Sequence, residues 1–256
     1  MTLATDSLVT DCLAGKRIII TGGGSGIGAD MALGFAQAGA KVTITGRREA
    51  ALQAVAQQHD AIHFKVVDVT DEAAMVVLFE QHGSVDIVIA NAGAAESAPF
   101  AKTSLEQWQQ MMNVNLGGVF LTLREGLKQL NDGGRMIAVA STAGLKGYAY
   151  VGAYCAAKHG VVGLVRSLAA ETATRNLTVN ALCPGFTDTP LLAASVENIV
   201  AKTGQSAEQA TAHFQATNPT GRLITPAEVT ATALWLCGPN SGAINGQAIS
   251  ISGGEV

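Results

Sequence analysis

Seven short apolar runs recur along this chain, separated by stretches with helical spacing. They are Arg17-Ile-Ile-Ile20, Lys41-Val-Thr-Ile-Thr45, Ile62-His-Phe-Lys-Val-Val67, Val85-Asp-Ile-Val-Ile-Ala90, Arg135-Met-Ile-Ala-Val-Ala140, Leu177-Thr-Val-Asn-Ala-Leu182 and Gln247-Ala-Ile-Ser-Ile251. Strands that alternate with helices are joined by crossovers, which place helices over a parallel sheet. The runs are apolar at successive positions rather than at every second one, the pattern of strands covered on both sides. The sequence therefore predicts an α/β, Rossmann-type fold: a doubly wound, seven-stranded parallel sheet with helices on both faces. No linker, repeat or low-complexity tract divides it, so residues 1–256 are read as one domain. The least regular stretch, 186–221, holds two helix-like segments, Leu191 to Lys202 and Ala207 to Ala216. An insertion there hangs over the carboxyl ends of the strands, where open α/β sheets bind ligands, and is read as a substrate lid.

Composition narrows the partners. Charged residues are only 14% and hydrophobic ones 48%, which implies extensive burial and surface hidden in an oligomer. A net charge of −4 without a basic block argues against nucleic acid or an anionic membrane and for a small-molecule substrate. Cys12, Cys155, Cys183 and Cys237 show neither C-x-x-C spacing nor histidines in ligand register. They read as reduced thiols with no metal site. Asp6 and Asp11 interrupt the opening dozen residues, and no apolar stretch reaches 18. The protein is thus expected in the cytoplasm, neither exported nor membrane-spanning.

Directly after the first run comes Thr21-Gly-Gly-Gly-Ser-Gly-Ile-Gly28, then the helical pattern Ala29 to Gln37. Glycines let the backbone turn tightly against a pyrophosphate, and the helix behind presents unpaired N–H groups to that anion. The spacing Gly22-x3-Gly26-x-Gly28 differs from the common G-x-G-x-x-G, and such a turn can be purely structural; its place between strand and helix favours a nucleotide. The second run leads into Ile44-Thr-Gly46-Arg47-Arg48, where an NAD-preferring site would carry an acid for the ribose 2′-hydroxyl. Two arginines stand there instead, suited to a 2′-phosphate, so NADP(H) is favoured and NAD(H) remains possible. A solvated pair opening a surface helix is the plainer reading. Asp68-Val69 and Asn91-Ala92-Gly93 line up along the same sheet edge, suiting adenine and the adenosine ribose, although either can be a turn or cap.

Tyr154 precedes Lys158 by four residues, and Ser141 ends an apolar run thirteen residues upstream. A phenol, with an ordinary pKa of about 10, moves protons poorly at neutral pH without a charge beside it. On a helix the two side chains share a face. At roughly 4 to 5 Å and an effective dielectric near 20, an ammonium offers about 3 to 4 kcal/mol toward lowering the phenol pKa. Alone, the pair is equally an amphipathic couple whose heads reach water.

In order, Thr21-Gly22-x3-Gly26-Ile27-Gly28, Asp68, Asn91-Ala-Gly93, Asn115, Ser141, Tyr154-x3-Lys158 and Pro184-Gly185-x3-Thr189 resemble the short-chain dehydrogenase/reductase family over essentially the whole chain. The resemblance implies a catalytic tetrad. Ser141 would orient a substrate carbonyl, Tyr154 would donate a proton to it, Lys158 would lower the phenol pKa and bind the nicotinamide ribose, and Asn115, rather than Asn113, would hold a water leading from Lys158 to solvent. Pro184, Gly185, Thr187 and Thr189 would fix the nicotinamide carboxamide. Ser25 stands where NADP-dependent relatives often carry a basic residue, which leaves the 2′-phosphate to Arg47 and Arg48. His159 reads as surface or interface, and Met111-Met112 as packing. The implied reaction is ketone/alcohol interconversion, with closest similarity to β-ketoacyl and polyketide ketoreductases, so a 3-oxoacyl or other apolar ketone is favoured. Alternatives are an NAD-dependent dehydrogenase of a secondary alcohol, polyol or hydroxysteroid, and a non-catalytic dinucleotide-binding sensor or scaffold. An enoyl reductase would place the lysine further from its tyrosine. The resemblance also implies a homotetramer paired through the long helices after Ala101 and around Tyr154.

Overall fold

The computed structural model describes residues 13–256; Asp6, Asp11 and Cys12 fall outside that range. Its elements run β1 (Arg17–Thr21), α1 (Gly26–Gln37), β2 (Lys41–Gly46), α2 (Glu49–Ala56), β3 (Ile62–Val66), α3 (Glu72–His82), β4 (Val85–Ala90), α4 (Leu105–Met112) and α5 (Gly118–Gln129). They continue as β5 (Leu130–Val139), α6 (Gly152–Glu171), β6 (Thr178–Pro184), α7 (Pro190–Thr203), α8 (Ala207–Thr217), α9 (Pro226–Cys237) and β7 (Ala248–Ile251). The seven strands form one sheet in the order β3-β2-β1-β4-β5-β6-β7, and every neighbouring pair is parallel.

Successive apolar residues are explained by two cores, one on each face. Ile18 and Ile20 enter the core shared with Phe35 of α1 and Leu236 of α9. Ile19 enters the other, with Phe79 of α3 and Val161 of α6. All three isoleucines are fully buried. The chain winds outward from β1 to β3 and returns to β4 beside β1, so a crevice opens at the carboxyl ends of β1 and β4.

Three features depart from the sequence reading by more than a residue or two at an element's end. α1 begins at Gly26 rather than Ala29, bringing Gly28 into the first helical turn. β5 begins at Leu130, five residues before the expected start, because Leu130 pairs with Val85 before the register shifts between Val85 and Ile87. Between α4 and α5 lies a π-helical turn, Asn113–Gly117, closed by the Gly118 N–H donating to the Asn113 carbonyl five residues back. No helix among the described residues is long and apolar enough to cross a membrane.

Candidate active site

The crevice is built first from backbone. Thr21 Oγ1 accepts from the N–H groups of Asn91 at 3.0 Å and Ala92 at 3.2 Å. Asn91 Nδ2 returns two bonds, to the Thr21 carbonyl at 3.0 Å and the Gly22 carbonyl at 3.2 Å. β1 and β4 are thus stitched together where the glycine turn leaves the sheet. Gly22 sits at φ +69°, a left-handed conformation that a side chain would strain. A Cβ on Gly28 would stand 2.3 Å from the Gly22 oxygen and 2.4 Å from Asn91 Nδ2. No residue but glycine lets α1 begin this close to the turn.

Those features suit an anionic group. Ser25, the N-cap of α1, makes no side-chain capping bond, so first-turn N–H groups are left open to a phosphate. Ser25 Oγ instead accepts from Arg48 Nη2 at 3.2 Å, which holds the guanidinium beside the turn. Arg47 Nη1 lies 3.9 Å from Asp68 Oδ2. Burial pushes the Asp68 carboxyl up, but hydrogen bonds from Thr70 and the Arg47 charge outweigh it and hold the group below its ordinary range. Gly46, at the end of β2, accepts from the Val67 N–H at 3.0 Å. Val69 turns its side chain into the core against Gly118. Ile27 likewise packs inward, against the α1 core.

Further along the same edge, Gly93, Asn115 and Lys158 converge. A Cβ on Gly93 would lie 2.9 Å from Asn115 Oδ1 and 3.7 Å from Lys158 Nζ. The fully buried Asn115 accepts from the Ala94 N–H at 3.1 Å through Oδ1 and donates to the Met111 carbonyl at 3.1 Å through Nδ2. Met111 is itself core, whereas His159 lies on the exposed face of α6. Ser141 caps the short 3-10 turn Thr142–Gly144, its Oγ accepting from the Ala143 N–H at 3.1 Å. Tyr154 stands in the first turn of α6, close enough to Ser141 for that side chain to favour its ionised form. Lys158, only 3% exposed, donates to the Val139 carbonyl at 2.8 Å.

Burial dominates the electrostatics of the pair. It pushes the Tyr154 phenol up to about 12 and the Lys158 ammonium down to about 8. The Lys158 charge is held on the end of β5 and lies 5.6 Å from the Tyr154 ring centroid.

The segment after β6 closes the other side. The Gly185 N–H donates to the Ile251 carbonyl at 2.9 Å, and Thr187 Oγ1 donates to the Gly185 carbonyl at 2.9 Å. Thr189 Oγ1 donates to the Thr187 carbonyl at 3.2 Å and, as cap of α7, accepts from the Leu192 N–H at 3.4 Å. Thr189 also abuts the glycine turn, its side chain 3.2 Å from where a Gly26 Cβ would stand. Nucleotide turn and post-β6 segment therefore meet, and Pro184, the last residue of β6, leads into that junction.

One cluster escaped the sequence reading. Tyr148 Oη lies 2.6 Å from both Thr142 Oγ1 and Glu255 Oε1, and Lys146 Nζ lies 3.0 Å from the same carboxylate oxygen. The carboxylate can only accept, so the phenol donates to it and the Thr142 hydroxyl donates to the phenol. Burial, and then the Glu255 bond, push the Tyr148 pKa well up. Lys146, Tyr148 and Glu255 match no motif and lie far apart in sequence, so no local signal could have joined them.

A glycine cradle ending at an uncapped helix, beside a serine, a tyrosine and a buried lysine on one parallel-sheet edge, defines a dinucleotide-dependent oxidoreductase. The comparisons make that class specific. The sequence model of a family described as enoyl-(acyl carrier protein) reductase matches residues 22–255. A putative ketoacyl reductase of Streptomyces coelicolor is 34% identical over 248 residues, covering 92% of this chain and 95% of that protein. D-beta-hydroxybutyrate dehydrogenase of Cupriavidus necator is 36% identical over 258 residues, covering 95% and 99%. Among solved structures, a substituted actinorhodin polyketide ketoreductase crystallised with NADPH superimposes with a TM-score of 0.88 at 33% identity, covering 94% of this chain and 97% of that one. The chain belongs to the short-chain dehydrogenase/reductase family.

Proposed function

We propose that the protein interconverts a ketone and a secondary alcohol with NADP(H) as the favoured cofactor, and that its substrate is a 3-oxoacyl thioester or a similar apolar ketone. The observation that carries this reading is the meeting of Ser141, Tyr154 and Lys158 beside the glycine cradle. The cofactor, when bound, supplies or takes up the hydride at the carbonyl carbon. In reduction, Ser141 hydrogen-bonds the carbonyl oxygen and Tyr154 gives that oxygen its proton. A phenol pushed up to about 12 is protonated across the neutral range, so the cofactor-free chain is poised for donation. Lys158, at about 8, stays largely charged at pH 7 and reaches the ribose hydroxyls.

Both polar atoms of the Asn115 side chain are engaged, so a water relay at this residue runs from its backbone. Asn91 Oδ1 makes no hydrogen bond among the described residues and is available to the adenosine ribose, while Asp68 and the Val69 backbone flank the adenine. Arg47, Arg48 and Ser25 take the 2′-phosphate. Pro184, Gly185, Thr187 and Thr189 hold the carboxamide. α7 and α8 form the substrate lid, their apolar cluster of Leu192, Val196 and Phe214 favouring a substrate with hydrocarbon character. Exposed Leu105, Trp108 and Phe120 on α4 and α5 support self-association, read here as a homotetramer; a cytoplasmic location completes the reading.

Similarity to D-beta-hydroxybutyrate dehydrogenase favours alcohol oxidation as the second reading. A panel of ketones and secondary alcohols followed by nicotinamide absorbance with both cofactors separates the two. Tyr154→Phe should lower turnover by about 10² to 10⁴. Unchanged reduction by that variant removes Tyr154 as the acid, and tight dinucleotide binding with no turnover on any compound would favour a sensor.

A further inference from the structure

Lysine and arginine number only 16 in the whole sequence, yet three of them, with two histidines, line one cleft of ≈ 290 Å³. They are Arg17, Lys41, Lys65, His63 and His82, joined by Gln81. No aspartate or glutamate among the described residues lines it.

The sheet register sets the arrangement. Arg17 pairs with Lys41, Thr43 with His63 and Thr45 with Lys65. These positions lie on one face, since side chains alternate along a strand. Arg17 stands directly beside Lys41, about 4.8 Å away along the backbone, while His63 and Lys65 lie one strand over and two and four residues further on, about 8 and 14 Å from Lys41. A row of donors this long suits a ligand with more than one anionic group better than a single carboxylate. Arg17 is held in place, Nη1 donating to Ser84 Oγ at 3.2 Å and Nη2 to the His82 carbonyl. The nearby Asp86 is occupied by the Arg17 N–H at 2.8 Å and by Lys16 at 3.2 Å. Lys41 and Lys65 form no ion pair among the described residues.

Lysine on an edge strand blocks sheet-to-sheet association, which accounts for Lys65 on β3. It does not account for Arg17 on β1, two strands in from that edge, nor for the concavity. The cleft shares no lining residue with the crevice, and Arg17, which opens β1, lies about 13 Å along the strand from the glycine turn. We propose that this basic cleft is a second anion site, binding the diphosphate moiety of a small molecule.

Isothermal calorimetry of the full chain with inorganic pyrophosphate tests it, with ADP as a second titrant to separate free diphosphate from a nucleoside diphosphate. Beyond any pyrophosphate taken by the glycine turn, one should bind per chain in the cleft, and the exposed double substitution Lys41→Gln/Lys65→Gln should weaken that binding by about tenfold or more. Arg48→Ser, in the crevice, should leave that affinity unchanged. ADP binding that falls in the cleft variant supports a nucleoside diphosphate; ADP binding that falls only in Arg48→Ser, with pyrophosphate still lost in the cleft variant, supports free diphosphate. Absence of pyrophosphate binding at millimolar concentration, an affinity unmoved by the cleft substitutions, or its loss in Arg48→Ser each overturns the proposal. A circular-dichroism spectrum matching the wild type shows that the variants are folded, and the wild-type titration decides the case even if one is not.

Discussion

Lys158 Nζ donates to the Val139 carbonyl at 2.8 Å, so the one buried ammonium of the crevice is anchored to the strand that delivers Ser141. Helix and strand are joined through this one charge, and two titrations follow from burial in the crevice.

Lys158 falls from 10.5 to about 8 in the folded chain, so the unfolded chain binds more protons between those values. Stability from this group is present above pH 10.5 and is lost as pH falls through 8, a swing of about 3 kcal/mol. Tyr154, raised from 10.0 to about 12, acts oppositely: its contribution is present below pH 10 and lost as pH rises through 12. Urea unfolding of the cofactor-free wild type and Lys158→Met should therefore show their difference moving toward the wild type between pH 8 and 10.5.

Gly28→Ala would force a Cβ to within 2.3 Å of the Gly22 oxygen. Relief requires opening the turn against the Asn91 bonds. Dinucleotide affinity, followed by nicotinamide fluorescence, should fall at least about tenfold, and thermal unfolding should report a loss of about 1 to 3 kcal/mol.

Arg48 reaches Ser25 at the turn, and Arg47 stands beside Asp68. Replacing both by serine removes the donors available to a 2′-phosphate. The ratio of kcat/KM for NADPH to that for NADH should drop about 10- to 100-fold, chiefly through KM. A ratio that stays put would move cofactor selection elsewhere.

Glu255, its side chain 2% exposed, accepts from Tyr148 and Lys146 together. Glu255→Leu leaves the part-buried phenol with Thr142 alone and should cost about 1 kcal/mol in chemical denaturation; Glu255→Gln, which keeps an acceptor, should cost less. Tyr148 also receives the Thr142 hydroxyl, next to Ser141, so the leucine variant should raise KM more than the glutamine one.

What could be read from the sequence followed local periodicity. Ile18, Ile19 and Ile20 announced a doubly covered strand because burial on both faces leaves an unbroken apolar run. The motif residues were legible for a similar reason: glycines at 22 and 28 answer to backbone geometry within one turn. β5 was read short because Asn131-Asp-Gly-Gly134 are poor strand formers that tertiary pairing with β4 overrides. The π turn at Asn113 left no trace, since a phase shift confined to one five-residue turn is too short to read as a change of period. The rise of the phenol pKa is not legible in the spacing, which locates a neighbour without revealing how much water burial removes, or that the Val139 carbonyl takes the ammonium. Lys146, Tyr148 and Glu255 needed three distant segments to be placed before they could be seen together.

The Asn91 bonds to Thr21 and Gly22 join segments 70 and 69 residues apart, so the nucleotide turn is complete only when β1 is paired with β4. Neither half of the chain holds the crevice alone. A ligand seated there resists the separation of β1 from β4 and suppresses the opened forms that proteases recognise. The supply of dinucleotide would then govern how long each molecule survives as well as how fast it works.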